Sequence, residues 1–260
     1  MIDIHAIKQY FPKQVQENGI HHKYMLKEYI QLLILDYLST THYIKKITFI
    51  RGTHLRLVNK IDRFSEDIDF DCKNLTKDEF LKMTDSVLVF LERSGFQVEP
   101  KDKNTDNLKA FRRNIYFPEF LFDLGMSAHK DERFLIKIES QDQLFAYISE
   151  SVNIRGCGLF FPFPVPPLAI LCSMKISALL SRKKGRDFYD VIFLLGLTKP
   201  DYKFLSVKMG INNLTELKDA IENMLGSIDM EHKVKDFEHM LFNKDKSSQI
   251  IRFNEFMNEL

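Results

Sequence analysis

Two aspartates separated by one apolar residue, Asp67 and Asp69, carry the clearest chemical signal in the sequence. On an extended strand alternate side chains leave the same face, so the two carboxylates would lie about 7 Å apart along one face. Carboxylate oxygens are the hard ligands that a divalent ion such as Mg²⁺ prefers. The pair therefore predicts two ligands of a metal site that needs a third.

A glycine turn precedes the aspartates. Residues 46–50 are β-branched and aromatic and predict a short strand, after which Gly52 lets the backbone turn sharply. Thr53 can then open a helix whose first N–H groups point above the strand end. An ordinary strand-to-helix turn has the same sequence, but opposite two carboxylates it would also leave room for a triphosphate against backbone donors.

A third carboxylate ends a later apolar strand, residues 135–139, at Glu139. Together with Asp67 and Asp69 it predicts a two-metal site. Such a site activates an attacking hydroxyl and stabilises a pyrophosphate leaving group.

The elements that must position these carboxylates can be predicted from hydrophobic spacing. Thr76 and Glu79 form a capping box at the start of an amphipathic helix that Gly95 ends. The mixture of hairpin strands and helices predicts an α+β fold, with a mixed β-sheet flanked by helices. Helices are predicted at 22–40 and 76–95, and strands at 46–50, 67–71, 96–99, 110–117, 120–126 and 133–140.

A proline- and phenylalanine-rich passage, residues 160–167, marks the predicted domain boundary, because it suits neither a helix nor a central strand. The sequence therefore predicts a catalytic domain at 1–160 and a helical bundle at 161–260. The predicted helices of the bundle are 168–181, 187–197, 213–225, 234–242 and 248–260.

Composition sets further bounds on partners and compartment. The chain has 260 residues, of which 45% are hydrophobic, enough for a sizeable core. Its 37 basic residues nearly balance its 36 acidic residues, so any polyanion must be held by a local basic patch. The three cysteines form no C-x-x-C pair, which favours a reducing compartment. The amino terminus does not resemble a signal peptide, and prolines interrupt the most apolar stretch, so we expect a cytoplasmic protein without a membrane partner.

The order Gly52-Thr53, Arg63, Ser65 and Asp67-Ile68-Asp69 resembles the first motif of the nucleotidyltransferase superfamily that includes DNA polymerase β. It resembles more closely that of the AbiEii/AbiGii toxin family. Residues 135–139 and 174–190 are similar to later blocks of that family, in the same order. One departure is Arg51, which stands where the family usually has the first of two glycines.

The resemblance implies a nucleotidyltransferase fold, in which the helical domain completes the nucleotide cleft. It also implies Mg²⁺-dependent transfer of a nucleotide from a nucleoside triphosphate (NTP) to an acceptor, an RNA such as tRNA or a protein. The role would be that of a toxin with a cognate antitoxin, or of a phage-defence protein. Asp67, Asp69 and Glu139 would be the catalytic metal ligands, Glu139 also serving as base. The nucleotide-binding residues would be Gly52, Thr53, Arg63, Ser65, Lys175, Lys184, Arg186 and Asp187.

A basic cluster at Arg182, Lys183, Lys184 and Arg186 has two interpretations. Such clusters are often solvated helix ends. Its place in the family's carboxy-terminal block favours binding of the triphosphate or of an RNA backbone.

Two other functions fit the same residues. Two aspartates and a glutamate also suit a metal-dependent nuclease or phosphodiesterase. The Arg51 departure keeps open a nucleotide-binding module without catalysis.

Overall fold

The computed structural model describes residues 3–102 and 110–260. The chain divides into two compact units. The first contains the described residues up to Asn59 and those of Ser65–Leu144 and Ser149–Val165; the second contains Lys60–Phe64, Phe145–Ile148 and Pro166–Leu260. The predicted α+β class, with a mixed sheet and a helical carboxy-terminal region, is confirmed.

The first unit contains all the strands of the described chain. They are β1 Ile47–Ile50, β2 Asp67–Cys72, β3 Glu99–Pro100, β4 Phe111–Tyr116, β5 Leu135–Gln141, β6 Glu150–Gly156 and β7 Leu159–Val165. Its helices are α1 Ile4–Lys8, α2 Lys13–Gln16, α3 Gly19–Ser39, α4 Arg51–Leu57, α5 Lys77–Arg93 and α6 Phe120–Asp123, with a 3₁₀ turn at His42–Lys45.

A five-stranded mixed sheet forms the centre of this unit, in the order β1-β2-β5-β4-β3. Only β2 and β5 run parallel; the other neighbours are antiparallel. Because side chains alternate along a strand, Ile68 and Phe70 leave one face of β2 and are buried, while Asp67 and Asp69 leave the other. The sheet therefore has an apolar face for packing and an acidic face for chemistry.

The capping box at Thr76 and Glu79 is confirmed. The Thr76 hydroxyl accepts from the Glu79 N–H at 3.2 Å, and the Glu79 carboxylate accepts from the Thr76 N–H at 3.0 Å. These contacts satisfy donors at the start of α5, which packs against β4 and α3.

Two strand predictions are wrong. Residues 120–126 begin with the short helix α6 instead of a strand, because Glu119 adopts the left-handed conformation (φ 51°) and reverses the chain before it. Of residues 96–99 only Glu99 lies in a strand.

No predicted strand covers the β6–β7 hairpin, which includes most of the proline-rich passage. Pro162 pairs with Asn153 and Pro164 with Ser151. A two-stranded hairpin tolerates these prolines because both of its strands are edges, where a missing N–H need not interrupt a ladder.

Helices make up most of the second unit. They are α7 Leu168–Arg182, α8 Gly185–Leu195, α9 Tyr202–Met209, α10 Leu214–Leu225, α11 Met230–Phe237 and α12 Phe253–Glu259, with 3₁₀ turns at Glu238–Met240 and Lys244–Arg252. The predicted helix over 248–260 therefore begins as a 3₁₀ turn, and α9 was not predicted. Within residues 3–102 and 110–260, no helix is long and apolar enough to cross a bilayer.

At Gly185, α8 lies close to α11. A Cβ added there would collide with the carbonyl oxygen of Lys233 and the ring of Phe237. The Gly185 N–H also donates to the Asp236 carboxylate at 3.0 Å, which satisfies one donor at the start of α8.

We expect Gly185→Ala to lower the free energy of unfolding by about 2 kcal/mol, the usual cost of overpacking. Urea denaturation measures the change. Gly226→Ala is the matched control, because its Cβ would meet no atom closer than 3.9 Å. Equal stability of both variants would contradict the predicted collision.

Candidate active site

Strand register brings the three predicted metal ligands to one face of the sheet. In the parallel β2–β5 pair Asp67 lies opposite Lys137 and Asp69 opposite Glu139. Arg112 of β4 lies opposite Glu139 on its other side. Paired residues point to the same face, so three carboxylates and two cations share it.

Arg51 joins two of these carboxylates. Its Nη1 donates to Asp69 Oδ1 at 2.7 Å and to Glu139 Oε2 at 3.0 Å. Both carboxylates are buried, whereas the Arg51 side chain is 32% exposed. The arginine thus bridges the sheet face from its solvent side.

Lys137 and Arg112 contact other oxygens of these carboxylates. Lys137 Nζ lies 2.9 Å from Asp67 Oδ2 and 3.4 Å from Glu139 Oε1. Arg112 Nε donates to Glu139 Oε1 at 2.6 Å. With Arg51, three cations therefore compensate three carboxylates.

Burial and charge move the pKa values of the two central acids in opposite directions. Burial raises the pKa of Asp69 to about 6; Arg51 opposes this rise, and Asp67 and Glu139 add to it. Burial also acts to raise the pKa of Glu139, but Lys137, Arg112 and Arg51 outweigh it and lower that pKa below its usual value. At the pH at which Asp69 begins to take up a proton, Glu139 is therefore still ionised.

The turn after β1 is strained at one residue. Arg51 has φ 66°, in the left-handed region that favours glycine, and α4 begins there. The buried hydroxyl of Thr53 donates to the carbonyl oxygen of Asp67, which ties the start of α4 to the start of β2. Gly52 is also buried.

Two side chains of α3 fix the segment that enters β2. Gln31 Nε2 donates to the carbonyl oxygen of Ser65 at 3.2 Å, and Lys27 Nζ pairs with Glu66 at 2.6 Å. Ser65 itself is buried. The predicted phosphate-binding residues Gly52, Thr53 and Ser65 therefore all lie beside the acidic strand.

The second unit contains a buried ion cluster built on Asp190. Arg63 Nε and Nη2 each donate to Asp190 at 2.6 Å, and Lys175 Nζ donates to Asp190 Oδ2 at 2.6 Å. Burial acts to raise the pKa of Asp190, but Arg63 and Lys175 outweigh it and lower that pKa to about 2. Burial lowers the pKa of Lys175, against the effect of Asp190.

The other predicted nucleotide-binding residues of this unit lie at the α7–α8 junction. Asp187 is buried and accepts from Arg182 Nε at 2.8 Å. Lys184 is exposed and Arg186 partly exposed. The nucleotide-binding roles predicted for Arg63, Lys175, Lys184, Arg186 and Asp187 stay predictions.

A family model described as the nucleotidyl transferase AbiEii toxin of a type IV toxin–antitoxin system matches residues 33–255. The chain belongs to this family. The resemblance found in the motifs is thus confirmed, and the chain is a nucleotidyltransferase. No curated protein matches the sequence.

Solved structures share the fold of this AbiEii-family chain. The nucleotidyltransferase toxin MenT4 from Mycobacterium tuberculosis H37Rv is 16% identical, with a TM-score of 0.65 over 100% of this chain and 91% of that one. JHP933 from Helicobacter pylori is 18% identical, with a TM-score of 0.54 over 91% and 90% of the two chains. At these identities the likeness concerns the fold alone.

The side chains of this candidate site suit a divalent ion in chemical type. Asp67, Asp69 and Glu139 offer hard oxygens on adjacent strands. In the described part of the chain, however, no group of three or more acidic, histidine or cysteine residues is arranged to hold a metal. Arg51 lies between two of these acids, within 2.7 Å of Asp69 and 3.0 Å of Glu139.

The cations of the candidate site were missed by sequence reasoning. Lys137 had a signal, since it precedes Glu139 by two residues and must share its face in a strand. Arg112 needed the β4–β5 register, which the sequence does not give. Lys27 and Gln31, which hold the segment that enters β2, are polar residues of α3 that are buried, and their burial depends on tertiary contacts.

Proposed function

We propose that this nucleotidyltransferase transfers a nucleotide from an NTP to an acceptor hydroxyl, on an RNA such as tRNA or on a protein, in a Mg²⁺-dependent reaction. The observation that carries the proposal is the register that sets Asp69 beside Glu139, with Asp67 on the same face. Acting as a cytoplasmic toxin, it would be restrained by a cognate antitoxin, the partner that its family implies.

Asp67, Asp69 and Glu139 would hold the metal. When bound, Mg²⁺ would neutralise triphosphate charge and favour departure of pyrophosphate. The lowered pKa of Glu139 suits a permanently ionised ligand better than the base suggested by the family resemblance.

The glycine turn would hold the phosphates. Gly52, Thr53 and Ser65 lie beside β2, where backbone N–H groups at the start of α4 can face an anion. Since the Thr53 hydroxyl already donates to the Asp67 carbonyl, Thr53 would use its backbone rather than its side chain.

Label transfer tests the proposal. The protein is incubated with Mg²⁺, total tRNA or total protein, and each NTP labelled in its α-phosphate in turn. We expect label in the acceptor from at least one NTP, and no labelled acceptor when EDTA is present during the incubation. Absence of transfer from every NTP would contradict the proposal, and RNA shortened without NTP would indicate a nuclease instead.

A further inference from the structure

Arg51 contacts the acidic face in the manner of a shared cation. One nitrogen, Nη1, lies within 3.0 Å of an oxygen from Asp69 and of an oxygen from Glu139. A metal ion that joins two carboxylates makes the same kind of bridge, at about 2.1 Å for Mg²⁺. The guanidinium therefore uses the oxygens that such an ion would need.

The other two cations, Lys137 and Arg112, contact different oxygens. Lys137 and Arg112 approach Glu139 through its second oxygen, Oε1, and Lys137 approaches Asp67 through Oδ2. Departure of Arg51 would thus release Asp69 Oδ1 and Glu139 Oε2 together. Lys137 and Arg112 could stay in place.

Two other arginines of the described chain make a different kind of contact. Arg63 and Arg56 each donate from two nitrogens to both oxygens of one carboxylate, on Asp190 and Glu28. Such forked pairs are the strong and geometrically fixed ones. Arg51 has no such fork to these acids and is 32% exposed, so it can exchange its contacts for water.

The backbone at Arg51 also makes glycine a compatible replacement. A residue at φ 66° would normally be glycine, because other side chains are strained there. In this chain the position is an arginine, and its guanidinium reaches Asp69 and Glu139.

We propose that Arg51 is an internal cation that occupies the metal's place between Asp69 and Glu139 and must leave before a divalent ion binds. The inference rests on the proposed metal-dependent function and adds that a side chain of the protein itself regulates metal binding. The metal-free protein is held in an inactive, charge-balanced state, and the divalent ion competes with the protein's own side chain.

Mn²⁺ binding to the full chain without NTP, followed by electron paramagnetic resonance, tests this competition. We expect Arg51→Gly to bind Mn²⁺ about ten-fold or more tightly than the wild type, because the bridging ion pairs no longer oppose the metal. Arg51→Lys, which keeps the charge, should fall between them. In Arg51→Gly, Asp69→Asn should abolish the gain.

Lys60→Gly is the matched control, since it also replaces a basic residue at positive φ (61°) by glycine. It should bind Mn²⁺ as the wild type does. Thermal unfolding gives a second measurement: added Mn²⁺ should raise the melting temperature of Arg51→Gly more than that of the wild type.

The outcomes separate this inference from the proposed function. Equal Mn²⁺ affinity of wild type and Arg51→Gly would overturn the inference and leave the metal site standing. No binding to either protein would overturn the inference together with the metal site. Tighter binding by Arg51→Gly that depends on Asp69 supports the inference, even if no label transfer is found.

Discussion

Asp69→Asn is expected to lower nucleotide transfer roughly 10³-fold, because it replaces a negatively charged carboxylate at the centre of the acidic face by a neutral amide. Asparagine keeps the shape of the side chain but donates hydrogen bonds where a cation has to be held. Initial rates of label transfer at saturating Mg²⁺ measure the loss.

The same substitution should not unfold the protein. Burial raises the pKa of Asp69 to about 6, so folding disfavours its ionised form, and this side chain lowers stability as pH rises from about 4 to about 6. A neutral asparagine avoids that cost at pH 7. We therefore expect a melting temperature equal to or above that of the wild type.

Asp78→Asn is the control for Asp69→Asn. Asp78 is exposed in the first turn of α5 and pairs with Lys82, which is also exposed. Its transfer rate should stay within about two-fold of the wild type. Full transfer by Asp69→Asn would exclude the central role of Asp69. Loss of transfer in step with loss of folded protein would indicate a structural role instead.

The acidic face could be predicted because it depends on local periodicity. Asp67 and Asp69 share a face in any strand, and Glu139 ends a short apolar run that is typical of a buried strand. The role of Arg51 could not be predicted from periodicity. It depends on a left-handed backbone angle and on the parallel register of β2 and β5, and neither is visible in the residues themselves.

The buried ion pairs of the second unit could not be predicted from the sequence. Arg63 and Lys175 belong to family motifs and were therefore interpreted as nucleotide-binding residues. In the structure Arg63 is separated by 127 residues from Asp190, its partner, and both are almost inaccessible to solvent. Sequence patterns indicate charge, but the burial of a charge depends on contacts between distant segments.

Asp190→Asn is expected to lower the free energy of unfolding by about 3–5 kcal/mol, since it leaves Arg63 and Lys175 buried without their shared carboxylate. Urea unfolding at pH 7 measures this. The effect should shrink at low pH: the pKa of Asp190 in the folded protein is about 2, so its contribution is present above about pH 4 and lost as pH falls through 2.

Asp187→Asn is the matched control, because Asp187 is equally buried but its partner Arg182 is 35% exposed and can regain water. We expect it to cost about 1 kcal/mol. Wild-type stability of Asp190→Asn would contradict the assignment of the cluster as a buried ion group.

A triple variant then separates stability from function. Replacing the cluster by apolar residues of similar size, as Arg63→Met, Lys175→Met and Asp190→Leu, should recover most of the lost stability, because no buried charge is left unpaired. If this stable variant still transfers nucleotide, Arg63 and Lys175 serve the fold. If it folds but fails to transfer, the nucleotide-binding role that the family motif predicts for Lys175 gains direct support. The buried charged cluster would then serve catalysis, although an apolar core would be as stable.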